Sequence, residues 1–404
     1  MTVLTGQDWL TAPATRAVLS ALEADGGPGC ARFVGGCVRN ALMGREIDDI
    51  DIATTLKPDE TERAIRAAGL KAVPTGIAYG TVTAVAERRP FEITTLRQDV
   101  STDGRNATVA FTDDWAEDAA RRDFRLNALY ADGEGRVFDP TGYGVEDAAA
   151  GRIVFVGDPR TRIQEDYLRI LRFFRFVAWY GRGEPDAAGL DACRDLAPGM
   201  TRLSAERVSK ELMKLLAAAD PRPAMAAMAD AGVLARVLPE AGPLDLFNAL
   251  VDLSADPVVR LMTLFPVDAD AMRGTAERLR FPNAARDRLV ASALAAPAVS
   301  LDMSDAKARA AVYRHGGRAV ADAVLRLWAA APERGEDATR LLAVAESWPV
   351  PRLPVGGREV ARLGLPPGPE TGRVLKAFEE RWIAEDFPVD GHAERLAALV
   401  SPRG

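Results

Sequence analysis

Two aspartates at strand spacing, Asp49 and Asp51, follow a glycine pair and an arginine in the stretch Val34-Gly35-Gly36-Cys37-Val38-Arg39-Asn40. In a β-strand alternate side chains share a face, so Asp49 and Asp51 project together while Ile50 and Ile52 point to a core. Adjacent carboxylates repel, and a divalent cation is the usual compensation. Mg²⁺ takes one or two carboxylates together with phosphate oxygens. The turn at Gly35 and Gly36 lets backbone N–H groups approach a phosphate closely. Arg39 adds a planar fork for phosphate oxygens. Taken together, these residue types describe a site for a metal-bound nucleoside triphosphate.

Three further groups extend that chemistry. Glu92, in Phe91-Glu92-Ile93-Thr94-Thr95-Leu96-Arg97, stands on the face opposite Phe91 and Ile93. Beside Asp49 and Asp51 it becomes a third carboxylate, for the metal or for activating an attacking hydroxyl. In Arg121-Arg122-Asp123-Phe124-Arg125-Leu126-Asn127, Arg122 would hold triphosphate and Asp123 would accept a bond from a ribose hydroxyl. Asn127, one helical turn on, would orient Asp123. The run Ile163–Phe174 reads as one helix on which Asp166 and Arg169 share a face. A carboxylate only accepts hydrogen bonds and a guanidinium only donates them. Cytosine and adenine offer an amine donor beside a ring-nitrogen acceptor, whereas uracil and guanine offer the reverse. The pair Asp166 and Arg169 would therefore admit CTP and ATP and reject UTP and GTP. Ser204 would open a helix, with Arg207 and Glu211 following, that supports the Asp166 helix.

These residues need a frame. Ala31–Val34, Asp49–Thr54, Thr81–Ala86, Phe91–Arg97 and a hairpin about Asp132-Gly133-Glu134-Gly135 are the expected strands, preceded by a helix over 7–24. The segment from Gln98 to Asp114 reads as a long glycine-bearing loop, a mobile lid containing Asp103-Gly104-Arg105-Asn106. Past about 150 the β signals vanish and alanine- and leucine-rich helices continue to the end.

A chain of 404 residues is too long for one ordinary core, so roughly two to four domains are expected. Its composition is that of a soluble globular protein, with no apolar run able to span a bilayer and no signal-peptide pattern. Three scattered cysteines point to reduced thiols in a cytoplasm, and two histidines make a zinc site improbable. The net charge of −7 does not advertise nucleic-acid binding, yet the arginines cluster at Arg121-Arg122 and at Arg169, Arg172 and Arg175, and local patches decide such binding.

With these motifs in order between about 30 and 215, the chain resembles the bacterial class II CCA-adding enzymes (tRNA nucleotidyltransferases) and their relatives, the bacterial poly(A) polymerases. The resemblance implies an α+β fold. A polymerase-β-like nucleotidyltransferase head with a mixed β-sheet would occupy 1–145. All-helical neck (146–220), body (221–345) and tail (346–404) would follow, the last three holding the tRNA acceptor stem. It further implies that Asp49 and Asp51 ligate two Mg²⁺ ions, that Arg122 and Asp123 bind phosphate and ribose, and that Asp166 and Arg169 read the base. The reaction would add C, C and A to the tRNA 3′ end from CTP and ATP and release pyrophosphate. Asn40, Tyr79 and Asn106 depart from the commonest pattern, where aspartate, histidine and histidine are frequent. Rival readings are a poly(A) polymerase, a CC-only or A-only enzyme, and an inactive RNA-binding protein of the same fold. The length of the 98–112 segment argues against CC-only addition, because the resembling CC-adding forms shorten it.

Overall fold

In the computed structural model, residues 2–103 and 106–400 are described, with side chains 99–109 left aside. Two compact units divide the chain, 1–239 and 240–404. Among the described residues of the first, nine strands form: β1 (Ala31–Val34), β2 (Asp51–Thr54), β3 (Lys71–Gly76), β4 (Thr81–Ala86), β5 (Arg89–Thr95), β6 (Arg97–Asp103), β7 (Asn106–Phe111), β8 (Tyr130–Ala131) and β9 (Val137–Phe138). Seven make one sheet in the order β3-β4-β5-β2-β1-β8-β9. It is mixed: β2 runs parallel to β5 and antiparallel to β1.

Among the described residues before 217, ten α-helices accompany these strands. They are α1 (Asp8–Thr11), α2 (Pro13–Gly26), α3 (Gly36–Leu42), α4 (Pro58–Ala67), α5 (Trp115–Ala120), α6 (Gly144–Ala150), α7 (Pro159–Glu165), α8 (Leu168–Tyr180), α9 (Ala187–Leu196) and α10 (Ala205–Leu216). α2 and α4 cover one face of the sheet, where Phe33, Ile52, Val82, Phe91 and Ile93 are fully buried. α4 begins cleanly because Pro58 sits in its first turn and the Glu60 carboxylate accepts the Lys57 N–H at 2.9 Å. The alternation of β4 and β5 leaves Thr81, Thr83, Glu92 and Thr94 on the opposite, open face together with Asp51.

α8 buries Leu168, Ile170, Leu171, Phe173, Phe174, Phe176 and Val177. Its rings join Phe124 and Phe155 in one aromatic cluster, with centroids 4.9 Å apart for Phe124–Phe176 and 5.6 Å for Phe155–Phe173. Such pairs add about 0.5–1.5 kcal/mol each beyond area burial. The cluster therefore fixes the Arg121–Asn127 segment against α8.

Several expectations are corrected here. The helix over 7–24 is broken at Ala12, where Pro13 starts α2. Asp49 precedes its strand, although Ile50 and Ile52 are buried as the alternation required. The expected lid is the β6–β7 hairpin, paired from Arg97↔Phe111 to Asp103↔Asn106; Gly104 and Arg105 lie outside the described residues. Arg125–Asn127 forms a 3₁₀ turn after an extended Phe124, so Asn127 is not one α-helical turn from Asp123. The Ile163–Phe174 helix is two helices, α7 and α8, with Asp166 extended between them at φ −153°.

Among its described residues, the regular elements of the second unit are all helices. One core gathers Val299, Leu301, Val312, Val324 and Leu341, and another gathers Val360, Phe378, Trp382 and Phe387. Among the described residues no helix is long and apolar enough to cross a membrane.

Candidate active site

The parallel register sets Asp51 beside Glu92. Burial, then the nearby Glu92 and Asp49 carboxylates, push the Asp51 carboxyl up to about 6, and Arg122 opposes the shift. Asp49 and Glu92 are both exposed. Asp51 thus has two like charges near it, and Arg122 partly compensates them. Hard oxygen donors of this kind suit Mg²⁺. Among the described residues no three metal-ligating side chains already converge, and Asp49 and Asp51 would need phosphate oxygens to complete the shell of a bound Mg²⁺.

Gly35 ends β1 and turns the chain into α3 at φ 70°, a conformation that glycine adopts without strain. A methyl group added to Gly35 would lie 3.7 Å from Arg122 Nη1. The Arg122 guanidinium is therefore held over the turn by its other nitrogens. Nε and Nη2 donate to Asp118 Oδ2 at 3.2 and 2.9 Å, and Arg121 donates to Oδ1 at 2.6 Å. Tyr130 donates its hydroxyl to the same carboxylate at 2.7 Å. Asp118 is 1% exposed. Burial opposes its ionisation, but Arg122 and Arg121 prevail and hold it down to about 2. Asp118 escaped the sequence reading, although its spacing of three and four before Arg121 and Arg122 is that of a helical ion pair.

Arg39 stands differently from the expected free fork. It is 7% exposed, donates from Nη1 to Asn127 Oδ1 at 2.6 Å and from Nη2 to the Tyr180 hydroxyl at 2.7 Å, and lies 4.0 Å over the Tyr180 ring. It also donates to Asn40 Oδ1 at 2.9 Å. Arg39 is a brace beneath the glycine turn. Asp123 is likewise occupied. Its Oδ1 accepts the Phe124 N–H at 2.8 Å and Asn127 Nδ2 at 2.9 Å, and its Oδ2 accepts Arg172 Nε at 2.8 Å and Arg172 Nη2. Burial would raise its pKa, yet Arg172 and these bonds hold it at about 2. Asn127 does orient Asp123, as expected, though through a tight turn. A ribose hydroxyl would have to share or displace these donors.

The Asp166 and Arg169 side chains bond to other partners, although the Arg169 N–H donates to the Asp166 carbonyl at 3.0 Å. Asp166 Oδ2 accepts from Arg207 at 2.6 Å and its Oδ1 from the Leu168 N–H at 3.1 Å. Arg169 is ion-paired to Glu165 and donates to the Arg162 and Arg121 carbonyls at 2.8 and 3.1 Å. Asp166 keeps acceptor capacity and Arg169 keeps donor capacity. The Arg207 bond shows that the helix opened at Ser204 does support Asp166. Of the clustered arginines expected to grip RNA, Arg172 is bound to Asp123 and Arg175 to Glu211 at 2.6 Å, so both face inward.

Residues 31–154 match the family described as the poly A polymerase head domain, and residues 185–243 that described as the probable RNA and SrmB-binding site of polymerase A. The human protein named CCA tRNA nucleotidyltransferase 1, mitochondrial, is 35% identical over 374 residues, 89% of this chain and 84% of its own. The CCA-adding enzyme of a Geobacillus species is 40% identical over 189 residues, 46% of this chain and 45% of its own. Among solved structures, the Bacillus stearothermophilus CCA-adding enzyme in complex with CTP superimposes with a TM-score of 0.74 at 26% identity, covering 93% of this chain and 94% of that one. A mixed sheet carrying this acidic strand beside the glycine turn, followed by helices, defines a nucleotidyltransferase of the polymerase-β-like fold. Within that class, the chain belongs to the CCA-adding enzymes of the poly(A) polymerase family.

Proposed function

We propose that this protein adds C, C and A to the 3′ end of tRNA, using CTP and ATP and releasing pyrophosphate. The observation that carries the reading is the register of Asp51 beside Glu92, facing Arg122 over the Gly35 turn. The RNA 3′ oxygen would bond to the α-phosphorus while the bond to the β-phosphate bridging oxygen breaks. Arg122 Nη1 and the N–H groups after Gly35 would hold the phosphates. Glu92 is our candidate for the group that takes the hydroxyl proton. Asp49 and Asp51 would hold Mg²⁺, which when bound stabilises charge developing on the phosphoryl oxygens and the attacking oxygen. Asp166 would accept from the exocyclic amine of cytosine or adenine, and Arg169 would donate to the ring nitrogen. Asp123 would meet the ribose by sharing its Arg172-bound carboxylate.

In this reading 1–145 is the catalytic head, 146–220 the neck that reads the base, and 221–345 and 346–404 the body and tail that hold the acceptor stem. The reaction would take place in the cytoplasm, where the buried free thiols of Cys30, Cys37 and Cys193 stay reduced. The test supplies purified protein, Mg²⁺ and labelled CTP or ATP with tRNA lacking its last three, two or one nucleotides. Stepwise completion to CCA is expected. Failure to incorporate either nucleotide sinks the proposal, long A tails select the poly(A) rival, and arrest after CC or growth only from CC selects the partial enzymes.

A further inference from the structure

The catalytic strand does not end at Glu92. Along β5 the open face continues to Thr94, roughly 7 Å on, where its hydroxyl bonds that of Thr81 across the sheet at 3.1 Å. Immediately before Thr81 the chain makes a 3₁₀ turn, Ile77–Tyr79, closed by Gly80 at φ 83°. Gly80 is required twice over. Its backbone is left-handed, and a methyl group there would sit 2.8 Å from the Phe111 ring and 3.4 Å from Thr95. The Phe111 ring therefore rests on a bare backbone. Arg97, paired in register with Phe111, donates to the Tyr79 carbonyl and ties the turn to the hairpin root.

The side chains gathered here are unusual for a surface. Ile77 is 51% exposed, Tyr79 47% and Phe111 39%. Single exposed apolar residues need no explanation. Three from two separate segments, flanking one glycine at the end of the catalytic strand, form a patch of the kind that marks an interaction surface. Two are aromatic, and exposed aromatic faces are what unpaired bases stack upon, whatever the base. Tyr79 suits such a place because its ring is apolar and its hydroxyl remains in water.

We infer that Tyr79 and Phe111, with Ile77 beside them, form a stacking platform for the unpaired 3′-terminal nucleotides of the RNA being extended. The occupant follows from continuity: the patch adjoins the strand on which Glu92 awaits a 3′ hydroxyl, so the nucleotides next to that hydroxyl are the bases within reach. Base-tolerant stacking also suits a primer whose end changes from the discriminator base to C and then to CC, whereas hydrogen-bond readout would have to change at each step. The inference rests on the RNA-extending activity proposed above.

The test uses the full chain and a tRNA ending in CC with 2-aminopurine in place of the base before the CC. Binding should quench the fluorophore, Tyr79→Ala should remove most of the quench, and Tyr79→Trp should keep it. In ATP addition, Tyr79→Ala should raise KM for RNA about tenfold, one base–aromatic stack, while KM for ATP stays within about twofold. Phe111→Leu, which keeps the packing on Gly80 but loses the flat face, should act in the same direction. An unchanged quench and RNA KM in Tyr79→Ala overturn the platform, and would leave the patch to a protein partner. A wild-type chain that extends no RNA refutes the proposed function instead, and the quench then decides the platform alone.

Discussion

Replacing Arg172 by Met removes the only cation bonded to the buried Asp123 carboxylate among the described residues, while keeping most of the side chain's length. In the wild type this carboxyl sits at about 2 rather than 3.8, a difference worth roughly 2 kcal/mol at neutral pH. Because the folded pKa is depressed, that stabilisation is complete above about pH 4 and is lost as pH falls toward 2. Without Arg172 the Phe124 N–H and Asn127 remain, but burial acts unopposed by a cation and the carboxyl must rise. Leaving a buried charge unpaired costs about 3–5 kcal/mol, and the two surviving bonds lower the expected cost of Arg172→Met to about 2–4 kcal/mol.

The pH dependence distinguishes this cause from lost packing. The variant carboxyl takes up a proton more readily than the wild type on acidification, so the stability gap should be widest at pH 7 and narrower at pH 4. Asp118, also held at about 2, contributes to both proteins and cancels in the difference. Urea-dependent hydrogen exchange of peptides spanning 120–131 and 168–180 reads the gap in the elements concerned. Adding Asp123→Asn to Arg172→Met should recover part of the loss at pH 7. A gap equal at both pH values, or smaller than about 0.5 kcal/mol, would refute the argument that Arg172 neutralises Asp123.

Three other outcomes are expected. Asp49→Ala or Asp51→Ala should reduce nucleotide incorporation at least a thousandfold, as removal of a catalytic metal's ligand does; full rate in labelled-CTP assays would remove both from the metal site. Arg169→Ala should weaken discrimination against UTP and GTP, read as the ratio of kcat/KM values, and an unchanged ratio counts against base reading by this residue. Arg207→Ala releases one oxygen of Asp166 and should raise KM for CTP and ATP several-fold with protein stability little altered; an unaffected KM would mean that Asp166 needs no such hold.

Much of the frame was legible. β1 and β4 have the expected limits, and the turn at Asp132–Gly135 joins β8 to β9, because apolar alternation and glycine turns are local signals. β3 was missed because Pro74 and Gly76 lie in an exposed strand with a register shift. The β6–β7 hairpin was missed because its residues lack an apolar alternation, and only its pairing makes it a strand pair. The break at Asp166 carries no mark, since the apolar pattern runs on through Leu168, Ile170 and Leu171; it is visible only in the extended backbone and in the Arg207 bond. At the site, residue types and order were readable, but not all of their partners were. Arg39 and Asp123 looked like free groups because Tyr180 and Arg172 reach them through the fold, whereas Glu165, four residues before Arg169, was readable as its partner from helical spacing.

Those partners change what the motifs do. Arg39 joins α3 to α8 through Tyr180, and joins Asn127, hence Asp123, hence Arg172 on α8 again. Arg169 at the start of α8 donates to the carbonyl of Arg121, next to the residue poised over Gly35. The Gly35 turn, the Asp123 carboxylate and α8, to which we assign phosphate, ribose and base in the proposed function, are thus bonded into one frame. A catalyst that chooses a base without a nucleic-acid template must hold acceptor and donor within about 0.5 Å of their working positions. A lone Asp and Arg on a helix surface, with their rotamer freedom, would not achieve this. The second bond on each, Arg207 on Asp166 and Glu165 on Arg169, would supply the fixity in the proposed reading, and a base presenting the reversed donor and acceptor would then meet two groups held against turning to accommodate it.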